Sequence, residues 1–328
     1  MNVPGWLWFA TIASLLAVIV IDLVVVDRNP HQVTIPEATR WVIFYVALAV
    51  LFGIGVWYFA GGQYAGEFFA GYLTEYSLSV DNLFIFLIIM TTFAVPPQHQ
   101  HRVLLVGIVI ALAMRGVFIA VGAAAISRFS WVFYLFAVVL IATAYKLVRE
   151  GVGREQEFQE NALLRWIRKV FPVTETYNGT RLFVTERGRR YATPMLIVMI
   201  AIGSTDLLFA VDSIPAIFGL TREPYLVFTA NVFALMGLRQ LYFLLGGLLD
   251  RLVYLSFGLS VILAFIGVKL VLEALHENTL PFVNGGQPVP VPTVGIGLSL
   301  GVIVGVLALT TVASLLKVRR DERRTRVS

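Results

Sequence analysis

The chain has 328 residues, of which 58% are hydrophobic and only 14% charged; the net charge is +5 and the mean hydropathy +0.83. Soluble domains run nearer roughly 45–50% apolar and about 25% charged, so a water-soluble globule is excluded, and disorder with it. There is no cysteine, which rules out disulfides, zinc–thiolate sites and cysteine nucleophiles.

Along the chain, nine stretches are long and apolar enough to cross a bilayer, which takes about 20 residues. They run over 6–26, 41–60, 68–93, 103–126, 131–148, 194–220, 225–249, 252–272 and 294–316. The expected fold is therefore all-α, a polytopic membrane protein. The first span has no Lys or Arg before it and so lacks the basic region of a signal peptide; it reads as a retained helix with its N-terminus outside. On that topology twenty of the 25 Lys and Arg fall on the inner side and only Arg128, Arg222 and Lys269 outside, while Arg115 and Arg239 lie within spans. The positive-inside rule then places the basic C-terminal tail in the cytoplasm. Asp22, Glu67 and Asp250 fall at span edges and read as boundary charges.

A long inner loop interrupts the bundle after span five. Residues 158–170 alternate charges with Leu163, Leu164, Trp166 and Ile167, the pattern of a helix lying on the membrane surface. Strand-like runs flank Arg187–Gly188 and predict a small hairpin.

Spans three and six share a polar phrase. Span three has Thr74 and Glu75, five more residues, then Asp81 and Asn82; span six has Thr205 and Asp206, five more residues, then Asp212 and Ser213. The likeness continues: Gly107 precedes Arg115 by eight residues in span four, and Asn231 precedes Arg239 by eight in span seven. Span five ends on Lys146, Arg149 and Glu150, and span eight on Lys269 and Glu273. Spans three to five thus read as one unit and six to eight as its duplicate. Each unit has three helices, an odd number, so the copies face opposite ways, an inverted repeat that places substrate at the bilayer midplane between them. The segments are then 1–62 with two spans, 63–150 with the first repeat, 151–192 the loop, 193–275 the second repeat, and 276–328 the last span and tail.

Four ionised acids at mid-membrane cost on the order of 10–14 kcal/mol if left alone. Arg115 and Arg239 offset two of the charges at most, as structural counter-ions, and the remainder fits one divalent cation. The available ligands are all oxygens: Glu75, Asp81, Asp206 and Asp212, then Asn82, Ser213, Thr74 and Thr205. Such a set suits Mn²⁺, Ca²⁺ or Mg²⁺, and the four histidines, His31, His99, His101 and His276, fall in loops or at span ends. Asn231 is mid-membrane, as a ligand or an inter-helix hydrogen-bonding group. Glu75 shares a helix face with Ser79 and Asn82, and Asp81 shares the adjacent one with Thr74 and Ser77. Pro215 leaves the carbonyl of Val211 without its ladder partner, so a local break is expected there; span three has only the weaker device of serine back-bonding. No nucleotide loop, nucleophile–base pair or redox centre is visible, so neither an enzyme nor an organic cofactor is expected, and the basic residues speak for a lipid bilayer and not for nucleic acid. Partners that the loop and tail would dock are not identified by the sequence.

The phrases from Glu75 to Asn82 and from Asp206 to Ala216 closely resemble the TerC/Alx family of bacterial integral membrane proteins. The resemblance covers most of the chain, including the inner loop and residues 231–239. The family takes its name from tellurite resistance, and its members are linked to Mn²⁺ export, metal homeostasis and metal loading of secreted enzymes. Carried over, Glu75, Asp81, Asp206 and Asp212 are the ion ligands, with Asn82 and Ser213 beside them. The resulting expectation is an exporter of divalent cations, Mn²⁺ foremost, in a bacterial inner membrane, with protons as the exchanged ion. The alternatives are a transporter of Ca²⁺ or another divalent cation, or a membrane partner in metal loading or assembly that moves no ion.

Overall fold

The computed structural model describes residues 3–27, 34–150, 165, 169, 172–174, 176–179, 181–186, 189–245, 253–278, 280–281 and 283–325. All of the surface helix expected over 158–170 except residues 165 and 169 lies outside them, as do the side chains of Asp22, Asp81 and Arg239.

The elements in chain order are α1 (Gly5–Asp27), α2 (Ile35–Ala60), α3 (Gly62–Thr92), α4 (Pro97–Arg128) and α5 (Val132–Glu150), then strands β1 (Phe183–Glu186) and β2 (Arg189–Ala192). There follow α6 (Pro194–Phe218), α7 (Pro224–Met236), α8 (Leu238–Leu245), α9 (Leu255–His276) and α10 (Ile296–Thr325). In lipid the backbone must satisfy its own hydrogen bonds, and these long apolar runs do so as helices. Four helices begin with proline in the first turn, α2, α4, α6 and α7. There its missing N–H costs nothing and its fixed φ suits the helix. Between α2 and α3 the chain turns on Gly61 at φ 101°, a conformation that a side chain resists.

Seven helices, α2 to α6, α9 and α10, are long and apolar enough among the described residues to cross a membrane. Large apolar side chains point outward along them, Leu51 and Trp57 on α2, Val117 and Val121 on α4, Val138 on α5, Leu309 on α10. The chain is a multi-pass, all-α membrane protein.

Two sequence expectations need correction. Span seven is not one helix over 225–249. It is interrupted at Gly237, whose N–H turns back to Leu235 O, and the helix restarts as α8. Glycine, with no Cβ, loses more backbone freedom than other residues when held in a helix, so helices yield there. Conversely, α6 is not broken at Pro215 but runs on to Phe218. Pro215 withholds one donor, the one to Val211 O, and the helix continues for the three residues that remain to its end.

α3 lies at the centre and packs against α2, α6, α7 and α10, while α4 packs on α6 and α7. α5 lies along α9, and the approach is close: a Cβ on Gly267 of α9 would meet Ile141 at 2.8 Å and Ala137 O at 3.4 Å. α1 docks on the start of α7, where Thr11 and Tyr225 share a 2.7 Å hydrogen bond and Trp8 meets the Tyr225 ring edge-on at 5.0 Å.

The starts of α1, α3, α7 and α10 gather at one end of the bundle with the ends of α6 and α9. The hairpin marks the other end. β1 and β2 pair antiparallel with Phe183 opposite Ala192, and Tyr177 donates to Phe93 O, just beyond α3, at 2.7 Å. Burial holds that phenol above its usual pKa, so it stays a donor. Beneath the hairpin an apolar cluster of Phe86, Ile89, Met90, Leu104, Met195 and Val198 fills the space between α3, α4 and α6.

Candidate functional site

α3 is buried on almost every side through its middle: Thr74, Glu75, Ser77, Leu78, Ser79, Val80 and Asn82 are all buried. A polar helix face in such surroundings needs partners. Arg115 of α4 is the first. It is only 1% exposed, and its guanidinium forms an ion pair with Glu75. The same group reaches α6, with Nη2 3.3 Å from Asp206 Oδ1 and Nε 3.5 Å from Oδ2. Nη1 also lies 3.5 Å from Asn231 Oδ1 on α7. One arginine therefore ties four helices together, and the acids it joins hold matching places in the two phrases.

The contacts with Asp206 are long for charge-assisted bonds, which usually measure about 2.7–2.9 Å. With both acids ionised the trio carries one unbalanced negative charge. On the helices that it joins, buried polar atoms have no hydrogen-bond partner among the described residues: Thr74 Oγ1, Ser79 Oγ and Glu75 Oε2 on α3, Ser213 Oγ on α6 and Asn231 Nδ2 on α7. Thr205 and Asn82 are buried beside them in sequence. Buried polar groups are nearly always satisfied, so this region has the capacity to hold something more. Ser77 is spent on its own helix, donating to Leu73 O at 2.6 Å.

Asp212 lies elsewhere. It is half-buried, and its Oδ1 accepts a 2.7 Å hydrogen bond from Thr143 of α5. Lys146, one turn further along α5, acts on it electrostatically. Asp81 and Arg239 lie on α3 and α8, and nothing more is described of them. Among the described residues no three acidic or histidine side chains converge as a metal cage. The acids drawn together are Glu75 and Asp206.

Two residues escape a reading of the sequence. Thr143 carries no signal, since a lone threonine in an apolar span is commonplace. Glu67 reads as a boundary charge but is 8% exposed; it accepts bonds from Gln63 Nε2 at 3.1 Å and Thr221 Oγ1 at 2.6 Å. Gln63 stands four residues before it, a helical pairing distance that is legible; Thr221 lies 154 residues away.

A family model described as the integral membrane protein TerC family matches residues 60–322. An uncharacterized membrane protein of Mycobacterium tuberculosis (strain ATCC 25618 / H37Rv) is 50% identical over 322 residues, covering 97% of this chain and 81% of that protein. One of Myxococcus xanthus is 42% identical over 316 residues, 96% of this chain and 93% of the relative. A protein of Escherichia coli (strain K12), named as a proposed membrane-bound redox modulator, Alx, is 34% identical over 343 residues and 99% of each chain. No solved structure matches the chain.

Proposed function

The chain belongs to the TerC family of integral membrane proteins, and on that premise we propose that it exports a divalent cation, Mn²⁺ foremost, across a bacterial cytoplasmic membrane. The observation that carries this reading is the meeting of Glu75 and Asp206 around Arg115, beside hydroxyl and amide groups with no partner among the described residues. Arg115 fills the place of a cation between two acids. A divalent ion arriving there competes with it, gathers oxygens from both helices, and satisfies the remaining polar atoms. Asp81, Asp212, Asn82 and Ser213 complete the set as the ion moves on, with Arg239 as a further counter-ion and Thr74 and Thr205 as hydroxyl donors. Oxygen ligands accept Ca²⁺ as readily, so selectivity for Mn²⁺ is part of the proposal. Protons from outside return the acids to the neutral state and release the ion, which makes the protein a cation/proton antiporter and not an enzyme.

In this reading nine spans carry the N-terminus outside and the tail inside, and the two three-helix units are inverted repeats. The packing supports the repeat: α3 lies on α7 as α6 lies on α4, and α5 lies on α9, the set of contacts that a two-fold exchange of the units returns to itself.

A second reading has its own observation. A buried arginine holding two acids also locks a bundle that moves nothing, as in a partner for metal loading. The name of the Alx relatives adds redox modulation; with no cysteine in the chain, such a role here runs through metal supply and not thiol exchange. Asp206→Asn separates the readings. The amide introduced there still accepts from Arg115 and leaves the trio neutral, so the transport reading expects normal thermal stability and Mn²⁺ flux at background in proteoliposomes with a pH gradient. Wild-type flux in that variant, or none in the unaltered protein, overturns it.

A further inference from the structure

At the end of the bundle where α3 begins, a cavity of about 800 Å³ opens between α3, the end of α6, the end of α9 and the start of α10. Its lining is charged: Glu67, Arg222, Glu223, Lys269 and Glu273, with Thr221 beside Glu67. Arg222 is already committed. It pairs with Glu273 at 2.7 Å and Glu277 at 2.8 Å and lies 4.5 Å over the Phe133 ring. Glu67 is different. It is more than nine-tenths buried, yet its oxygens accept only from neutral groups, Gln63 and Thr221. No cation stands within ion-pair distance of it among the described residues. Lys269, half-buried on α9, acts electrostatically on both Glu67 and Glu273 without closing on either. Among the described residues its Nζ reaches only Ser299 Oγ, at 3.4 Å.

A buried carboxylate with no cation in contact is costly, and here it faces a cavity roomy enough for a hydrated ion. We propose that this cavity is a second cation station, in which Glu67 holds a hydrated divalent cation and the Lys269 ammonium displaces it. The station rests on the transport reading and deepens it, since it lies on the exit side of the Glu75–Asp206 centre. Eight residues of helix, about 12 Å of rise, separate Glu67 from Glu75. Between them α3 packs on α6 and α7 at Gly71, where a Cβ would sit in ordinary contact with Ile217 at 3.4 Å and Ala230 at 3.5 Å. In this structure the packing there parts station from centre. An ion leaving the centre pauses at Glu67, and the positive charge of Lys269 lowers its affinity enough for release.

The test is Mn²⁺ binding to the full chain in nanodiscs, followed by the electron paramagnetic resonance signal of free Mn²⁺. The unaltered protein should show a tight and a weak class of site. Glu67→Gln should remove the weak class and keep the tight one, and Asp206→Asn should do the reverse. Lys269→Gln should tighten the weak class about tenfold and slow Mn²⁺ efflux from proteoliposomes. Should Glu67→Gln fail to fold, Glu273→Gln, which lines the same cavity, should weaken that class instead. A single class abolished by Asp206→Asn and indifferent to Glu67→Gln and Glu273→Gln overturns the station and leaves the transport reading standing. An affinity unmoved by Lys269→Gln overturns the displacement role. No Mn²⁺ binding and no flux in the unaltered protein overturns both readings together.

Discussion

α6 carries two acids six residues apart, in surroundings that have little in common. Asp206 is 2% exposed and lies against the Arg115 guanidinium, which also holds Glu75. Asp212 is half-buried, takes its hydrogen bond from the neutral hydroxyl of Thr143, and feels Lys146 only at a distance. The first neighbourhood balances charge with charge; the second dresses a charge with a hydroxyl and leaves it partly open. On the proposed transport reading, two acids on one helix would hold an ion with different strength, as passage through a membrane requires of successive positions.

The sharpest way to break the contrast is to remove the guanidinium. Arg115→Met leaves Glu75 and Asp206 facing each other in the bundle with no counter-charge. Losing one member of a buried ion pair costs roughly 3–5 kcal/mol, so thermal unfolding in nanodiscs should shift down strongly. Acid should rescue it, because protonated acids no longer repel, and so should added Mn²⁺, by binding only the folded chain. A variant as stable as the unaltered protein at neutral pH, without metal, would mean that the acids are not charged there.

A milder change probes the second neighbourhood. Thr143→Val keeps the shape and removes the one hydrogen bond to Asp212. A half-buried acceptor retains some access to other donors, so the loss belongs near the lower end of the range for unmet buried groups, about 1 kcal/mol. Paired with Asp212→Ala, which removes the acceptor, in a double-mutant cycle, the coupling should be of similar size and favourable. Zero coupling would show that Thr143 and Asp212 are neighbours without being partners.

How much of this was legible in the sequence depends on the range over which each feature is decided. Seven of the nine expected spans were legible because hydropathy is a local quantity. The matched phrases around Glu75 and Asp206 were legible because charge inside an apolar run is costly wherever it falls. The interruption at Gly237 was not, since glycine is also tolerated inside unbroken membrane helices. Pro215 misled for a related reason: its effect depends on how much helix follows, and only three residues do. Glu67 looked like a boundary charge because the group that buries it, Thr221, comes from beyond the end of α6, a pairing that only the folded bundle makes.

The smallest expected effect concerns how α3 presents Glu75 to that first neighbourhood. Ser77 Oγ donates to Leu73 O, a back-bond that bends helices slightly and stabilises them little. In Ser77→Ala the ladder remains, and the better helix propensity of alanine, worth about 0.5 kcal/mol or less, offsets the lost hydroxyl. Thermal stability should then stay within about 0.5 kcal/mol of the unaltered protein. Mn²⁺ flux reads something else. If the charge pairing of Glu75, Arg115 and Asp206 alone positions the acids, flux should fall by less than about threefold, a change of under 1 kcal/mol. A collapse of flux at unchanged stability would instead place the set of α3, and not the ion pair, in control of how Glu75 meets Asp206. The contrast between the charged and the neutral neighbourhood would then be a consequence of helix shape.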